Sequence, residues 1–250
     1  MKKIIIANWK MNLDQKETID LAKSYYKNVK PKRNTEVVIA PSFPMLKEVQ
    51  KIFSGTNFIL GAQDVAAQES GAYTGEVSSR MLKDFGCKYV LVGHSERRLF
   101  MNETNEIINK KINQCFNMGL SPILCVGETL QENKDDKREY ILVQQLQQAL
   151  SKVNGLPENE LVIAYEPIWA IGSGQFMEAK DLQTIQSIVK RVIFSLYSEK
   201  FYNEKVRLIY GGSVNSINAN DFLSEENISG LLVATASLES GAFRNIVEQA

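Results

Sequence analysis

Eight short apolar runs, each nearly continuous, constrain this chain more than any other feature. They are Ile4-Ile5-Ile6-Ala7, Glu36-Val37-Val38-Ile39-Ala40, Phe58-Ile59-Leu60-Gly61, Tyr89-Val90-Leu91-Val92, Pro122-Ile123-Leu124-Cys125-Val126, Leu161-Val162-Ile163-Ala164-Tyr165, Val206-Arg207-Leu208-Ile209-Tyr210 and Leu231-Leu232-Val233. A half-buried strand alternates apolar with polar residues, whereas a parallel strand covered on both faces is apolar almost throughout. Between the runs lie segments with helical spacing. Glu17, Ile19, Leu21 and Tyr25 mark the first, and Asn105 to Met118 and Lys137 to Val153 are longer examples. From Asp181 to Tyr197, the residues Leu182, Ile185, Ile188, Val189, Val192 and Leu196 fall along one broad stripe. Strand then helix, eight times, is the order of a closed (β/α)8 barrel. An open doubly wound sheet is the alternative, because counting elements does not prove closure. No Pro/Gly/Ser-rich linker divides residues 1–250, so a single barrel domain is expected.

Lys and Arg number 29 and Asp and Glu 29, a net charge of zero that argues against wholesale binding of nucleic acid or an anionic membrane. No apolar run is long enough to span a bilayer. After Lys2-Lys3 the run Ile4 to Ala7 is too short for a signal-peptide core. Cys87, Cys115 and Cys125 form no CxxC pair, and His94 is the only histidine, so no structural zinc site is expected. The expectation is a cytoplasmic, reduced protein that uses no metal.

In a barrel the residues just after each strand share one face, where barrel enzymes keep their active sites. Asn8-Trp9-Lys10 follow the first run, and Gly93-His94-Ser95-Glu96-Arg97-Arg98 the fourth. Glu166 follows the sixth, Gly211-Gly212-Ser213-Val214 the seventh and Ala234-Thr235-Ala236-Ser237 the eighth. Pro167 ends the sixth strand, having no N–H to give a neighbour, and an apolar loop with Trp169 and Ile171 closes in Gly172-Ser173-Gly174. Singly, each has an ordinary explanation: a surface glutamate, a satisfied core histidine, a solvated lysine, two tight turns. Convergence on one rim favours a site.

The chemistry of such a site follows from the residue types. Backbone N–H groups of Gly211-Gly212-Ser213 and Ala234-Thr235, with Gly172, can face an anion, as turns after strands seven and eight of barrels often do. Neither turn has the GxGxxG or GxxxxGKS pattern, so no dinucleotide or nucleoside triphosphate is indicated. His94 precedes Ser95, a good N-cap, with Glu96 and Arg97 entering a helix; the dipole there disfavours the protonated imidazole. Lys10 supplies fixed positive charge for an anionic substrate and for charge developing on oxygen. Glu166, partly desolvated under a lid carrying Ile171, becomes a stronger base. Base, neutral electrophile and lysine fit proton abstraction next to a carbonyl, through an enediolate, on a small phosphorylated substrate.

Over its whole length the chain resembles the triosephosphate isomerase family. The matching stretches are Ala7-Asn8-Trp9-Lys10-Met11-Asn12, Gly61-Ala62-Gln63-Asp64, Gly71-Ala72-Tyr73-Thr74-Gly75-Glu76, Val92-Gly93-His94-Ser95-Glu96-Arg97-Arg98, Cys125-Val126-Gly127-Glu128-Thr129, Tyr165-Glu166-Pro167-Ile168-Trp169-Ala170-Ile171-Gly172-Ser173-Gly174 and Tyr210-Gly211-Gly212-Ser213-Val214. The resemblance implies a TIM barrel that interconverts dihydroxyacetone phosphate and D-glyceraldehyde 3-phosphate, serving glycolysis and gluconeogenesis, without a cofactor. It implies Glu166 as base, His94 as neutral electrophile, and Lys10 with Asn8 as electrostatic and positioning groups. Base and neutral histidine under a closing loop are the family's own established pairing, so that assignment comes from the resemblance. It also implies a homodimer in which the Gly71-to-Glu76 loop supports the neighbouring active site through Thr74. Glu96 and Glu103 resemble family residues in the network around His94 and the interface.

Two stretches depart from the family pattern. Ala234-Thr235 stand where Gly-Gly is usual, so each position gains a Cβ, and a glycine conformation with positive φ would be strained there. Gln175-Phe176-Met177 replace a loop hinge that is usually basic, then small. Both bear on KM and turnover more than on the reaction. They leave two alternatives beside the isomerase: a catalytically weakened phosphate-binding barrel with an interaction role, or another metal-free barrel isomerase of phosphorylated sugars.

Overall fold

The computed structural model describes residues 2–153, 160–170 and 177–250. Eight parallel strands close into a barrel in the order of the sequence. They are β1 Lys3–Asn8, β2 Thr35–Ala40, β3 Phe58–Ala62, β4 Tyr89–Val92, β5 Ser121–Val126, β6 Leu161–Tyr165, β7 Val206–Tyr210 and β8 Ile228–Val233. Closure is direct: Ile4 through Ala7 of β1 pair with Gly230 through Val233 of β8. The open doubly wound sheet is therefore excluded. The α-helices among the described residues are α1 Gln15–Asn28, α2 Leu46–Phe53, α3 Ser79–Asp84, α4 Ser95–Phe100, α5 Asn105–Asn117, α6 Leu130–Lys134, α7 Arg138–Leu150, α8 Leu182–Leu196, α9 Glu199–Lys205, α10 Ala219–Leu223 and α11 Ser240–Glu248. None of them is long and apolar enough to cross a membrane.

The near-continuous apolar runs are explained by two cores separated by the strand wall. Side chains on a strand point alternately to opposite faces. Ile4, Ile6, Val38, Leu91, Val162, Ile209 and Leu232 fill the barrel interior. Their neighbours Ile5, Val37, Val90, Ile163, Leu208 and Leu231 pack outward with the helices. In α8 the buried stripe is Leu182, Ile185, Ile188, Val189, Val192 and Ile193. Each such side chain contributes roughly 1.5–3 kcal/mol on burial. In α1 the buried positions are Thr18, Ala22 and Tyr25, with Ile19 and Leu21 flanking them. Its start is fixed by a capping box: Asp14 accepts from the Glu17 amide, and Glu17 accepts from the Asp14 amide.

The strand boundaries agree closely with the apolar runs except in β8, which begins three residues before Leu231, at Ile228. Ser229-Gly230 interrupts the run, and Gly230 is required by close approach: a Cβ there would lie 1.8 Å from the Ile4 carbonyl oxygen. The β7–β8 register shifts between Leu208 and Tyr210 at the same level. At the opposite end from the strand tips, Arg207 is buried inside the barrel mouth. Its Nη1 donates to Glu36 Oε2 at 2.6 Å, and its Nη2 meets Glu160 and the Tyr89 hydroxyl.

Candidate active site

The ends of β1, β4, β6, β7 and β8 surround one cavity of about 390 Å³, lined among others by Asn8, Lys10, His94, Glu166, Gly211, Gly212, Ser213, Ala234 and Thr235. The strand-tip residues singled out in the sequence thus meet, apart from those noted below. Glu166 sits one residue beyond β6, and its amide still bonds to the Val126 carbonyl at 2.8 Å, so the strand ladder fixes its backbone. Two glycines make room for it. A Cβ at Gly127 would lie 1.8 Å from the Glu166 carbonyl oxygen, and one at Gly211 would lie 3.0 Å from Glu166 Cγ.

The carboxylate of Glu166 is 2% exposed, with Oε2 accepting from the Ser95 amide at 3.0 Å. Its Oε1 has no hydrogen-bond partner among the described residues and lies 3.4 Å from His94 Nε2. An unsatisfied buried carboxylate oxygen is costly unless another group supplies its proton or donor. Beside it, burial pushes the Cys125 thiol well above its ordinary value, and the Glu166 charge pushes it further, so Cys125 is a protonated S–H. The N-cap of α4 is His94 and not Ser95, which is the first helical residue: it is the His94 Nδ1 that accepts the Glu96 amide, at 3.3 Å. A nitrogen that accepts carries no proton, which leaves Nε2 as the donor of a neutral ring.

Lys10 is held in a conformation that costs energy. Its φ of 51° is left-handed, a region a lysine occupies at a cost of roughly 1–3 kcal/mol. Asn8 Oδ1 accepts the Lys10 amide at 3.1 Å, and Gln63 Nε2 donates to the Lys10 carbonyl at 2.8 Å and to the Ala40 carbonyl at 3.0 Å. The Lys10 ammonium pairs with Glu96 Oε1 at 2.6 Å. With side chains 21% and 44% exposed, the pair adds little stability, but it fixes where the charge stands.

The turn after β7 is locked by two asparagines. Asn215 Oδ1 accepts the amides of Ile217 and Asn218, while Asn218 accepts the Asn215 amide and donates to the Ser213 carbonyl. After β8, Ala234 has φ −101°, and Thr235 is not among the described residues with positive φ. The positive-φ conformation that would strain Ala234-Thr235 is thus not adopted at either residue.

Other sequence-singled residues fall elsewhere. Thr74 is exposed in a turn where Glu76 donates to the Tyr73 carbonyl at 3.1 Å, and it does not line the cavity. Glu103 is buried beneath α4 with Arg97, Lys111 and Asp64, where Lys111 Nζ donates to Asp64 Oδ1 at 2.7 Å. It touches Arg97 and not His94. Ile171, Gly172, Gln175 and Phe176 lie outside the described residues; Met177 is buried.

Sequence reasoning left three neighbours of the site without a role: Gln63, Cys125 and Glu128. Each lies at or just past the end of a strand and within a stretch that matches the family, but neither signal gave it a role. Glu128 is fully buried and accepts from Arg138 Nε at 3.0 Å, the Tyr165 hydroxyl at 3.1 Å and Trp169 Nε1 at 3.0 Å. It therefore ties β5 and β6 to the start of the segment after Pro167.

A family model described as triosephosphate isomerase matches residues 3–250. The triosephosphate isomerase of Thermoanaerobacter pseudethanolicus is 44% identical over 244 residues, 98% of each chain. Those of Dictyoglomus thermophilum and Aquifex aeolicus are each 42% identical, over 99% of both chains. Matches of this extent, on a closed barrel whose rim gathers Lys10, His94 and Glu166, leave one assignment: the chain belongs to the triosephosphate isomerase family.

Proposed function

We propose that the chain interconverts dihydroxyacetone phosphate and D-glyceraldehyde 3-phosphate, with Glu166 as base, His94 as neutral electrophile and Lys10 as the fixed positive charge. One observation carries the reading: the free Glu166 Oε1 and the Nε2 of a neutral His94 face each other at 3.4 Å on the wall of one cavity. Glu166 would take a proton from the carbon beside the substrate carbonyl. His94 Nε2 would donate to the oxygen on which negative charge grows, and Lys10 would stabilise that charge. Asn8 would orient Lys10, and the Ser95 amide and Glu96 would hold Glu166 and Lys10 in position. Ser213, Ala234 and Thr235, with Gly172, would hold the phosphate, a role supported by the lining of the cavity after β7 and β8. Ile171 would close over the bound substrate.

Residues 1–250 are read as a single barrel domain, supported by the pairing of β1 with β8. A homodimer through the Gly71-to-Glu76 loop, with Thr74 reaching the partner's site, is supported by that loop's full exposure. Exposed Met11, Tyr73, Met81, Phe100 and Met101 support it further, as apolar surface suited to burial against a second copy. The direct test is a coupled assay of purified protein with glyceraldehyde 3-phosphate. Turnover well above background is expected; turnover at background with phosphate still bound would favour the non-catalytic phosphate-binding barrel.

A further inference from the structure

The turn Ala234-Thr235-Ala236-Ser237 contains two hydroxyls with opposite situations. Ser237 is fully buried, and its Oγ donates to the Ala234 carbonyl at 2.6 Å, so it serves the turn itself. Thr235 is exposed to the cavity it lines, and among the described residues its hydroxyl makes no hydrogen bond. The turn after β8 therefore places on the wall it shares with Ser213 a residue whose hydroxyl is uncommitted among the described residues. The backbone tolerates it without left-handed strain, since φ of Ala234 is −101° and Thr235 is not of positive φ. The same cannot be said after β7. A Cβ at Gly212 would lie 2.3 Å from the Tyr210 hydroxyl, and Tyr210 is itself stacked on Phe222 at 3.9 Å. Added side-chain chemistry at this end of the cavity is thus possible after β8 and obstructed at Gly212.

We propose that the Thr235 hydroxyl is an additional donor to the substrate phosphate, so that a side chain joins the backbone amides in binding it. The proposal rests on the reading above that the turns after β7 and β8 hold the phosphate. A charged phosphate oxygen is a strong acceptor, and a hydrogen bond to it is worth more than one between neutral groups. Solvent contact places this one at the low end, about tenfold in affinity, or about 1.4 kcal/mol. The bond is made equally in ground and transition states, so its loss raises KM more than it lowers kcat.

The test is the competitive inhibition constant of inorganic phosphate, with KM and kcat, for the wild-type enzyme, Thr235→Val and Thr235→Ser. Valine keeps the shape and removes the donor; serine keeps the donor. The proposal predicts that the inhibition constant and KM rise about tenfold in Thr235→Val, that kcat changes less, and that Thr235→Ser stays near wild type. Phosphate that competes with substrate in the wild type, with Thr235→Val unchanged within twofold, overturns the hydroxyl's role while leaving the phosphate site intact. Phosphate that fails to compete with substrate in the wild type overturns both.

Discussion

Glu166, the proposed base, is defined by what holds its carboxylate. One oxygen is held by the Ser95 amide, and the other is left free beside His94. Reactivity of that kind depends on placement at the level of an ångström. Shortening the side chain while keeping the carboxylate separates placement from charge. Glu166→Asp is expected to fold normally and to lose roughly a hundredfold in kcat, because the carboxylate withdraws by ~1 Å. Steady-state kinetics check this, and wild-type kcat in the variant would remove Glu166 from the role. Lys10 is held in a comparable way: Asn8 and Gln63 bond its left-handed backbone on either side.

The strands set these side chains on a common rim, and the strands themselves were legible from the apolar runs, whereas their closure rests on the pairing of β1 with β8. Continuous runs imply strands covered on both faces, and eight of them alternating with helical spacing imply a barrel. The residues that carry charge or a hydroxyl at strand tips were legible for the same reason. What could not be read was contact between elements distant in sequence. Gln63 reaching Lys10, Cys125 beside Glu166 and Glu128 gathering three donors all depend on register across the barrel, which local patterns do not encode. The early start of β8 was hidden because Ser229-Gly230 looks like a break, although Gly230 is where the wall closes on β1. Gly230→Ala would drive a methyl to within 1.8 Å of the Ile4 carbonyl oxygen unless the strands part. A loss of roughly 3 kcal/mol or more in urea unfolding is expected, the upper range for overpacking. A variant as stable as wild type would show that the closure is looser than described.

At the scale of the whole molecule, the two ends of the barrel do different work. The rim after the strands carries the candidate site, while the opposite mouth is stoppered by Arg207 among Glu36, Glu160 and Tyr89. Burial works against the charge of Glu36, but Arg207, with Lys88 behind it, outweighs burial and holds the carboxyl below its ordinary value. A depressed carboxyl contributes stability above its unfolded pKa and loses it as pH falls through the lower folded value. Arg207→Met should therefore cost about 3 kcal/mol at neutral pH. That difference should shrink as pH falls below about 4.5, the ordinary value for Glu36. Urea unfolding across this range checks it; a difference independent of pH would mean that Arg207 acts only by packing. The rim is tested most directly by following dihydroxyacetone phosphate in D2O by NMR, with wild-type protein and with Glu166→Gln. Proton transfer through an enediolate predicts product formation with solvent deuterium appearing on the carbon beside the carbonyl, and both falling at least about a thousandfold in the variant. Product formed without any deuterium, or exchange undiminished in Glu166→Gln, would contradict the account.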